Sequence, residues 1–269
     1  MTRMENIIGW IRHRTPLRKA DGLWKLVRPV HDWYWSIFAR QGIPRIINGS
    51  DSKRISPRLR RMSDRYEPEV WKCLMSEVKP GDVFVDVGAF HGFYSIAVGK
   101  RAGPQGRVYA FEPDPGNCLF LKEHICLNHL EAIITHENKA VSSQCGFGSF
   151  VFGRGPESRL AAGGPVKNSV EVVTLDDFIK LGRIDILKID VEGFEQAVLA
   201  GARDLLRDEK RRPRVIFIEM HPFAWGISGA SSEGILAILQ EAGYGLFDLA
   251  QKPMNRVTAY GEAIARPLV

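Results

Sequence analysis

Short unbroken apolar runs alternate with helical patterns through the middle of the chain. The runs stand at residues 83–87, 108–111, 133–136, 184–189 and 215–218. Helix-period segments at 92–101, 115–127 and 194–206 lie between them, the last repeating Phe194, Val198, Ala202 and Leu205 on one face. Continuous apolar runs of this length read as strands buried on both sides. The pattern therefore predicts an α/β fold, a mostly parallel doubly wound sheet covered by helices. A further helix is predicted over 68–78, where Val70, Leu74 and Val78 share a stripe and Pro80-Gly81 stops it. Residues 243–249 and 256–260 read as two late strands, with an antiparallel member at this edge. A hairpin pairing 149–152 with 170–173 interrupts the rhythm. It encloses a Gly- and Pro-rich loop at 153–165 of the kind that often carries substrate contacts.

Ahead of residue 66 no long period is present. Residues 31–40 read as a short amphipathic helix, and Pro44 and Pro57 interrupt whatever follows. Charge separates this stretch from the rest: residues 1–65 hold 15 of the 37 Lys+Arg but only 5 of the 31 Asp+Glu. The whole chain carries +6, so the remainder is net acidic. Four of the six tryptophans (Trp10, Trp24, Trp33, Trp35) fall in the basic part. The division is a basic, Trp-rich N-terminal extension over 1–65 and a catalytic domain over 66–269. The extension reads either as a helical lid or as a surface for an anionic membrane or a lipid-linked acceptor. Nucleic acid is disfavoured, because no RNA-binding module is recognisable and the rest is acidic. With 269 residues, 45% of them hydrophobic, the chain can bury its own core. The four cysteines form no C-x-x-C pair, and no signal-like or 18-residue apolar run occurs. A cytoplasmic protein is the expectation, with peripheral membrane association through 1–65 as an open alternative.

In an open parallel sheet, ligands bind beyond the carboxyl ends of the strands. The first run ends Asp86-Val87-Gly88-Ala89-Phe90-His91-Gly92, where Gly88 permits a tight turn and Gly92 a close helix approach. The second ends at Phe111-Glu112-Pro113, placing a carboxylate where it can accept both hydroxyls of a ribose. The glycines lack the G-x-G-x-x-G spacing of a dinucleotide site, and no P-loop occurs. Asp86 would repel a pyrophosphate but suits a cation. S-adenosylmethionine (SAM), a cationic adenosine ligand, fits better than NAD or ATP.

The segments GDVFVDVGAFHGFYSIAV, GRVYAFEPDP, TLDDF, IDILKIDVEGFEQAVLAGA and VIFIEMH resemble the FkbM family of SAM-dependent methyltransferases. INGSDSKRISP and YEPEVW upstream fit the family's flank. The resemblance implies a class I, Rossmann-like methyltransferase fold and transfer of the SAM methyl group, usually to a hydroxyl oxygen. Phe90 departs from it, since the family commonly carries Asn there. By position, Asp86, Gly88, Ala89, His91 and Gly92 would line the methionine end of SAM. Glu112 and Pro113 would hold the ribose, and Asn138 would flank the adenine.

The fourth run ends Lys188-Ile189-Asp190-Val191-Glu192-Gly193, and alternation puts Lys188, Asp190 and Glu192 on one face. Asp190 and Glu192 read as groups orienting SAM or the acceptor, or more plainly as an ion-pair partner and a helix cap. His221, closing the fifth run, is the candidate base for an acceptor hydroxyl, against a structural reading of similar weight. Asp190, Glu192, Glu219 and His221 could approach a divalent ion, but their spacing demands none and no metal ligand is assigned. The expected activity is O-methylation of a sugar, glycan or other small hydroxyl-bearing metabolite. An NAD-type oxidoreductase and an inactive SAM-binding protein stand as rivals.

Overall fold

The computed structural model describes residues 40–151, 159–160, 169–178 and 182–268, together with Pro29 and Trp33. The helix expected at 31–40 and most of the loop at 153–165 lie outside the described residues.

Two short strands, β1 (Ile43–Ile47) and β2 (Asp51–Ile55), form an antiparallel pair, and helix α1 (Pro68–Glu77) comes after them. The central sheet then begins: β3 (Val83–Val87), α2 (Phe93–Ala102), β4 (Arg107–Phe111), α3 (Pro115–Leu127) and β5 (Ile134–Glu137). A side sheet comes next, from β6 (Ala140–Val141), β7 (Gly146–Val151), β8 (Arg159–Leu160) and β9 (Ser169–Val173). The turn α4 (Leu175–Phe178) leads back to β10 (Ile186–Ile189), α5 (Glu195–Ala200), α6 (Arg203–Arg207) and β11 (Val215–Met220). The last elements are α7 (Trp225–Ser228), α8 (Ser232–Glu241), β12 (Tyr244–Asp248) and β13 (Gly261–Pro267).

The seven-stranded sheet runs β12-β13-β11-β10-β3-β4-β5. β13 is antiparallel to both its neighbours, and the core pairs β11-β10-β3-β4-β5 are parallel. The α/β expectation holds in class and in its late antiparallel strand. Side chains alternate between two helix layers. Val85, Val87, Ile216 and Ile218 pack with Val198, Leu205, Ile235 and Leu239 on one side. Phe84, Val215 and Phe217 pack with Trp71, Leu74, Ile96, Leu121 and Ile125 on the other. β1 and β2 join that second layer through Ile47 and Ile55, and Lys53 donates from its buried ammonium to the Phe93 carbonyl at 2.8 Å.

Three elements differ from the sequence pattern. The helix expected over 194–206 is two short helices. Gly201 lies so close to Ser142 that a Cβ there would meet the Ser142 carbonyl oxygen at 2.0 Å. A second helix starts beyond it, with Asp176 accepting from the Asp204 and Leu205 amides at 3.1 and 2.8 Å. The second late strand falls at 261–267 rather than 256–260, in register with β11 from Ile216–Ala265 to Met220–Gly261. The expected pairing of 149–152 with 170–173 is shifted along the chain: β7 pairs with β9 through residues 146–149 against 169–172, and Phe150 and Val151 pair instead with β8.

Candidate active site

The chain runs from β3 outward to β5, then returns to β10 on the other side of β3. The carboxyl ends of β3 and β10 therefore open a crevice where the winding reverses. A cavity of about 550 Å³ occupies it. Its two ends have different chemistry.

At one end the turn after β3 is tied to β4: the Gly88 and Ala89 amides both donate to the Phe111 carbonyl. Gly88 has φ +83, and a Cβ on it would meet the Asp190 carbonyl oxygen at 1.8 Å, so the site needs a glycine there. Phe90 sits in the left-handed region at φ +51, a conformation that Asn tolerates better than a bulky aromatic. Glu112 is buried but lines the cavity. One of its oxygens accepts from the Phe90 amide at 2.7 Å, and the other from the Asp114 amide at 2.9 Å. Burial pushes Glu112 up to about 8 despite these donors. Pro113, Phe111 and Val141 complete this mostly apolar end.

Asn138 does not line the cavity. Its amide group donates to the Glu112 and Pro113 carbonyls at 2.8 and 3.0 Å, so it braces the loop that carries Glu112. Asp86, Ala89, His91 and Gly92 also stand behind the lining. Asp86 is buried and accepts from the Ser95 hydroxyl at 2.5 Å. The His91 ring stacks on Phe90 at 3.7 Å, and burial beside His124 lowers its pKa to about 4. Gly92 packs where a Cβ would meet Leu121 at 2.3 Å.

The other end is built by β10, β11 and β13. Lys188 stands opposite Asp86 in the strand register and is 2% exposed. Its ammonium donates to Asp190 at 3.0 Å. Burial alone would lower Lys188, but Asp190 and Asp86 outweigh it and hold the value well above normal. Glu192 comes next on this rim, in the left-handed region at φ +51, a local strain of the kind that collects at functional sites.

His221 is 2% exposed and sits between three carboxylates. Its Nδ1 lies 2.7 Å from Glu195, and its Nε2 lies 3.4 Å from Glu192 and 3.8 Å from Glu219. Glu195 is fully buried, accepting also from the Gly193 amide and the Trp225 indole, both at 2.9 Å. Glu195 accepts the hydrogen bond from the Nδ1–H of His221, which leaves Nε2 to the cavity. Burial would lower His221; the bond to Glu195 and the charges of Glu192 and Glu195 raise it to about 9. Glu219 is raised to about 7 by burial and by Asp190. The sequence pattern does not single out Glu195, although it lies three positions past Glu192 in the same motif. Glu67, Tyr66, Phe223 and Tyr260 also line this end, and no sequence motif assigns any of them to the site.

A doubly wound sheet with an antiparallel strand next to its edge, and a crevice with Glu112 at one end and carboxylates at the other, is the arrangement expected of a SAM-dependent methyltransferase. The family match is direct: the family described as Methyltransferase FkbM domain covers residues 86–246, and the chain belongs to it. It is 27% identical over 187 residues to the hexuronic acid methyltransferase AglP of Haloferax volcanii, covering 66% of this chain and 70% of that protein. It is 29% identical over 196 residues to the methyltransferase sdnD of Sordaria araneosa, covering 60% and 72%. Among solved structures, an FkbM methyltransferase from Methylobacillus flagellatus KT superposes with a TM-score of 0.47 and 18% identity. That match covers 71% of this chain and 44% of the other, so the chain spans less than half of that protein's length. The NAD-type alternative falls with the family match. Among the described residues, no helix is long and apolar enough to cross a membrane.

The residues present fit SAM. Gly88 leaves a cradle that a side chain would fill, Glu112 presents a carboxylate at the ribose end, and the acidic far end suits a sulfonium.

Proposed function

We propose that the protein methylates a hydroxyl oxygen on a sugar, glycan or other small polyol. SAM supplies the electrophilic methyl group as a sulfonium. Glu112 holds the ribose, with Gly88 and Pro113 shaping that end of the cavity. Asp190, kept ionised by Lys188, and Glu192 orient the cofactor and the acceptor. His221 accepts the acceptor's hydroxyl proton at Nε2, and Glu195 steadies the imidazolium that results. Placing the hydroxyl against the methyl carbon is the larger contribution, worth ~7–11 kcal/mol in favourable cases. The base adds about 10²–10⁴-fold.

The observation that carries this reading is the Glu195–His221 pair with Nε2 turned to the cavity. The name of the Haloferax relative supports a sugar ring as acceptor, and carries nothing over to this chain about the acceptor's charge. Methyl transfer is assayed across a panel of glycosides and small polyols, alongside SAM binding by calorimetry. His221→Ala is expected to bind SAM nearly as the natural protein does and to turn over at least a hundredfold more slowly. Normal turnover in that variant would overturn the base assignment.

A further inference from the structure

The acceptor end carries an unusual pairing of surfaces. Phe223 and Tyr260 are 68% and 61% exposed, yet both line the cavity. Their rings lie 6.3 Å apart, and each stands within 5.6 Å of the His221 ring. Two large aromatic faces are thus held open to water directly above the candidate base, where a ligand ring can cover them. Beneath them the polar lining is almost entirely carboxylate: Glu67, Asp190, Glu192 and Glu219.

The cations that could answer an anionic acceptor are elsewhere. Lys188 is buried behind Asp190 and does not line the cavity. Lys139 does line it, but pairs with Glu171 at 3.0 Å and lies beside Val141 and Phe111 at the adenosine end. His221 is already shared among carboxylates. Among the described residues, no arginine lines the cavity, and arginine is the side chain best shaped to grip a carboxylate or phosphate. The acidity continues behind the wall. Glu219 and Glu262 face each other in the β11–β13 register, where like charges disfavour pairing. Both carboxylates lie within 4.8 Å of that of Glu67. The Glu262 oxygens are buried without a hydrogen-bond partner among the described residues.

We propose that this end is a ring-binding subsite, with Phe223 and Tyr260 as its wall, that accepts uncharged or aminated polyols and rejects acceptors bearing a carboxylate or phosphate. The apolar face of a pyranose ring covers the two aromatics. Its hydroxyls reach the side-chain oxygens of Glu67, Glu192 and Glu219, the last already accepting from the Tyr260 hydroxyl. An amino group finds the same oxygens, whereas an anionic substituent meets like charge, and among the described residues the imidazolium of His221, the cation at this end, is already held by Glu192, Glu195 and Glu219. The inference rests on the O-methylation reading for its assignment of this end to the acceptor.

The test uses the full chain saturated with S-adenosylhomocysteine. Binding of methyl glycosides of glucose, glucosamine and glucuronic acid is measured by saturation-transfer NMR and titration. The neutral and amino glycosides are expected to bind at least tenfold more tightly than the glucuronide. Phe223→Ala should weaken the neutral glycoside at least fivefold while leaving S-adenosylhomocysteine affinity within twofold. Glu219→Gln should narrow the gap between glucoside and glucuronide. Equal or tighter glucuronide binding, no glycoside binding at all, or glucoside binding indifferent to Phe223→Ala would each overturn the subsite. If the glycosides bind as described but no panel member is ever methylated, the O-methylation reading fails and the subsite stands.

Discussion

The Nδ1 of His221 and a carboxylate oxygen of Glu195 lie 2.7 Å apart, both side chains sealed from solvent. The pair raises His221 to about 9, so near pH 7 about one imidazole in a hundred is neutral and able to accept a proton. The turnover rate should climb with pH through an inflection near 9 and level off above it. Glu195→Gln removes the charge that holds the proton, so the inflection should move toward 6.5 while the plateau falls. A purely structural Glu195 would lower the rate without moving the inflection, which a pH–rate profile of both proteins distinguishes.

Glu112 carries a second pH dependence. Burial raises it from an ordinary value of 4.5 to about 8, so at neutral pH the ligand-free carboxyl is mostly protonated. A raised value means that the fold is favoured below 4.5 and loses that contribution as pH rises through 8. Ribose hydroxyls are best accepted by the ionised form. SAM affinity is therefore expected to strengthen from pH 6.5 to 9, with proton release at the lower end. Glu112→Gln should bind SAM about 10–100-fold more weakly, since a hydrogen bond to a charged group is worth about 1.5–3 kcal/mol. Its affinity should also be flat with pH, as calorimetry in buffers of different ionisation enthalpy would reveal.

Lys188 is the counterion for buried Asp86 and for Asp190, which lines the cavity. Lys188→Met preserves bulk and removes the charge. Breaking a buried pair in this way costs about 3–5 kcal/mol. Asp86 already stands above its usual range through burial, and without Lys188 it should rise further. The penalty should then be smaller at pH 5, where protonation relieves it, than at pH 8. Urea unfolding at the two pH values measures the difference.

Gly88→Ala tests the crevice itself. A Cβ at φ +83 would press on the Asp190 carbonyl oxygen, forcing the β3 and β10 ends apart. Strain of this kind costs about 1–3 kcal/mol, and the steric contact adds to it. Unfolding midpoints and SAM affinity should both drop. Wild-type SAM affinity in this variant would show that the two strand ends need not be so close.

The layered sheet can be read from apolar runs because β3, β10 and β11 are buried on both faces and leave unbroken hydrophobic stretches. Gly88 and Glu112 are legible because spacing along the chain places them at strand ends. Depth is not legible. Asp86 reads as a ligand group from its place near a strand end, but Ser95 from α2 and Lys188 from β10 claim it inside the sheet. Asn138 likewise commits its amide to backbone carbonyls just past the neighbouring strand β4. Glu195 looks like one more helix-surface acid until Trp225 and His221 arrive from a distant segment to bury it. Such roles depend on which elements become neighbours, and local periodicity carries no information about that.

The match to the family runs from residue 86 to 246, and several groups at the acceptor end lie outside it. Tyr66 and Glu67 precede it, while Tyr260 and Glu262 come after it on the last strand and the turn before. The cofactor end is therefore written in one uninterrupted stretch, and much of the far end in two flanking pieces. A lineage can exchange those flanks and inherit a working donor pocket unchanged. Grafting 40–68 and 249–268 from a relative should carry over that relative's choice of acceptor and leave its grip on SAM as it was.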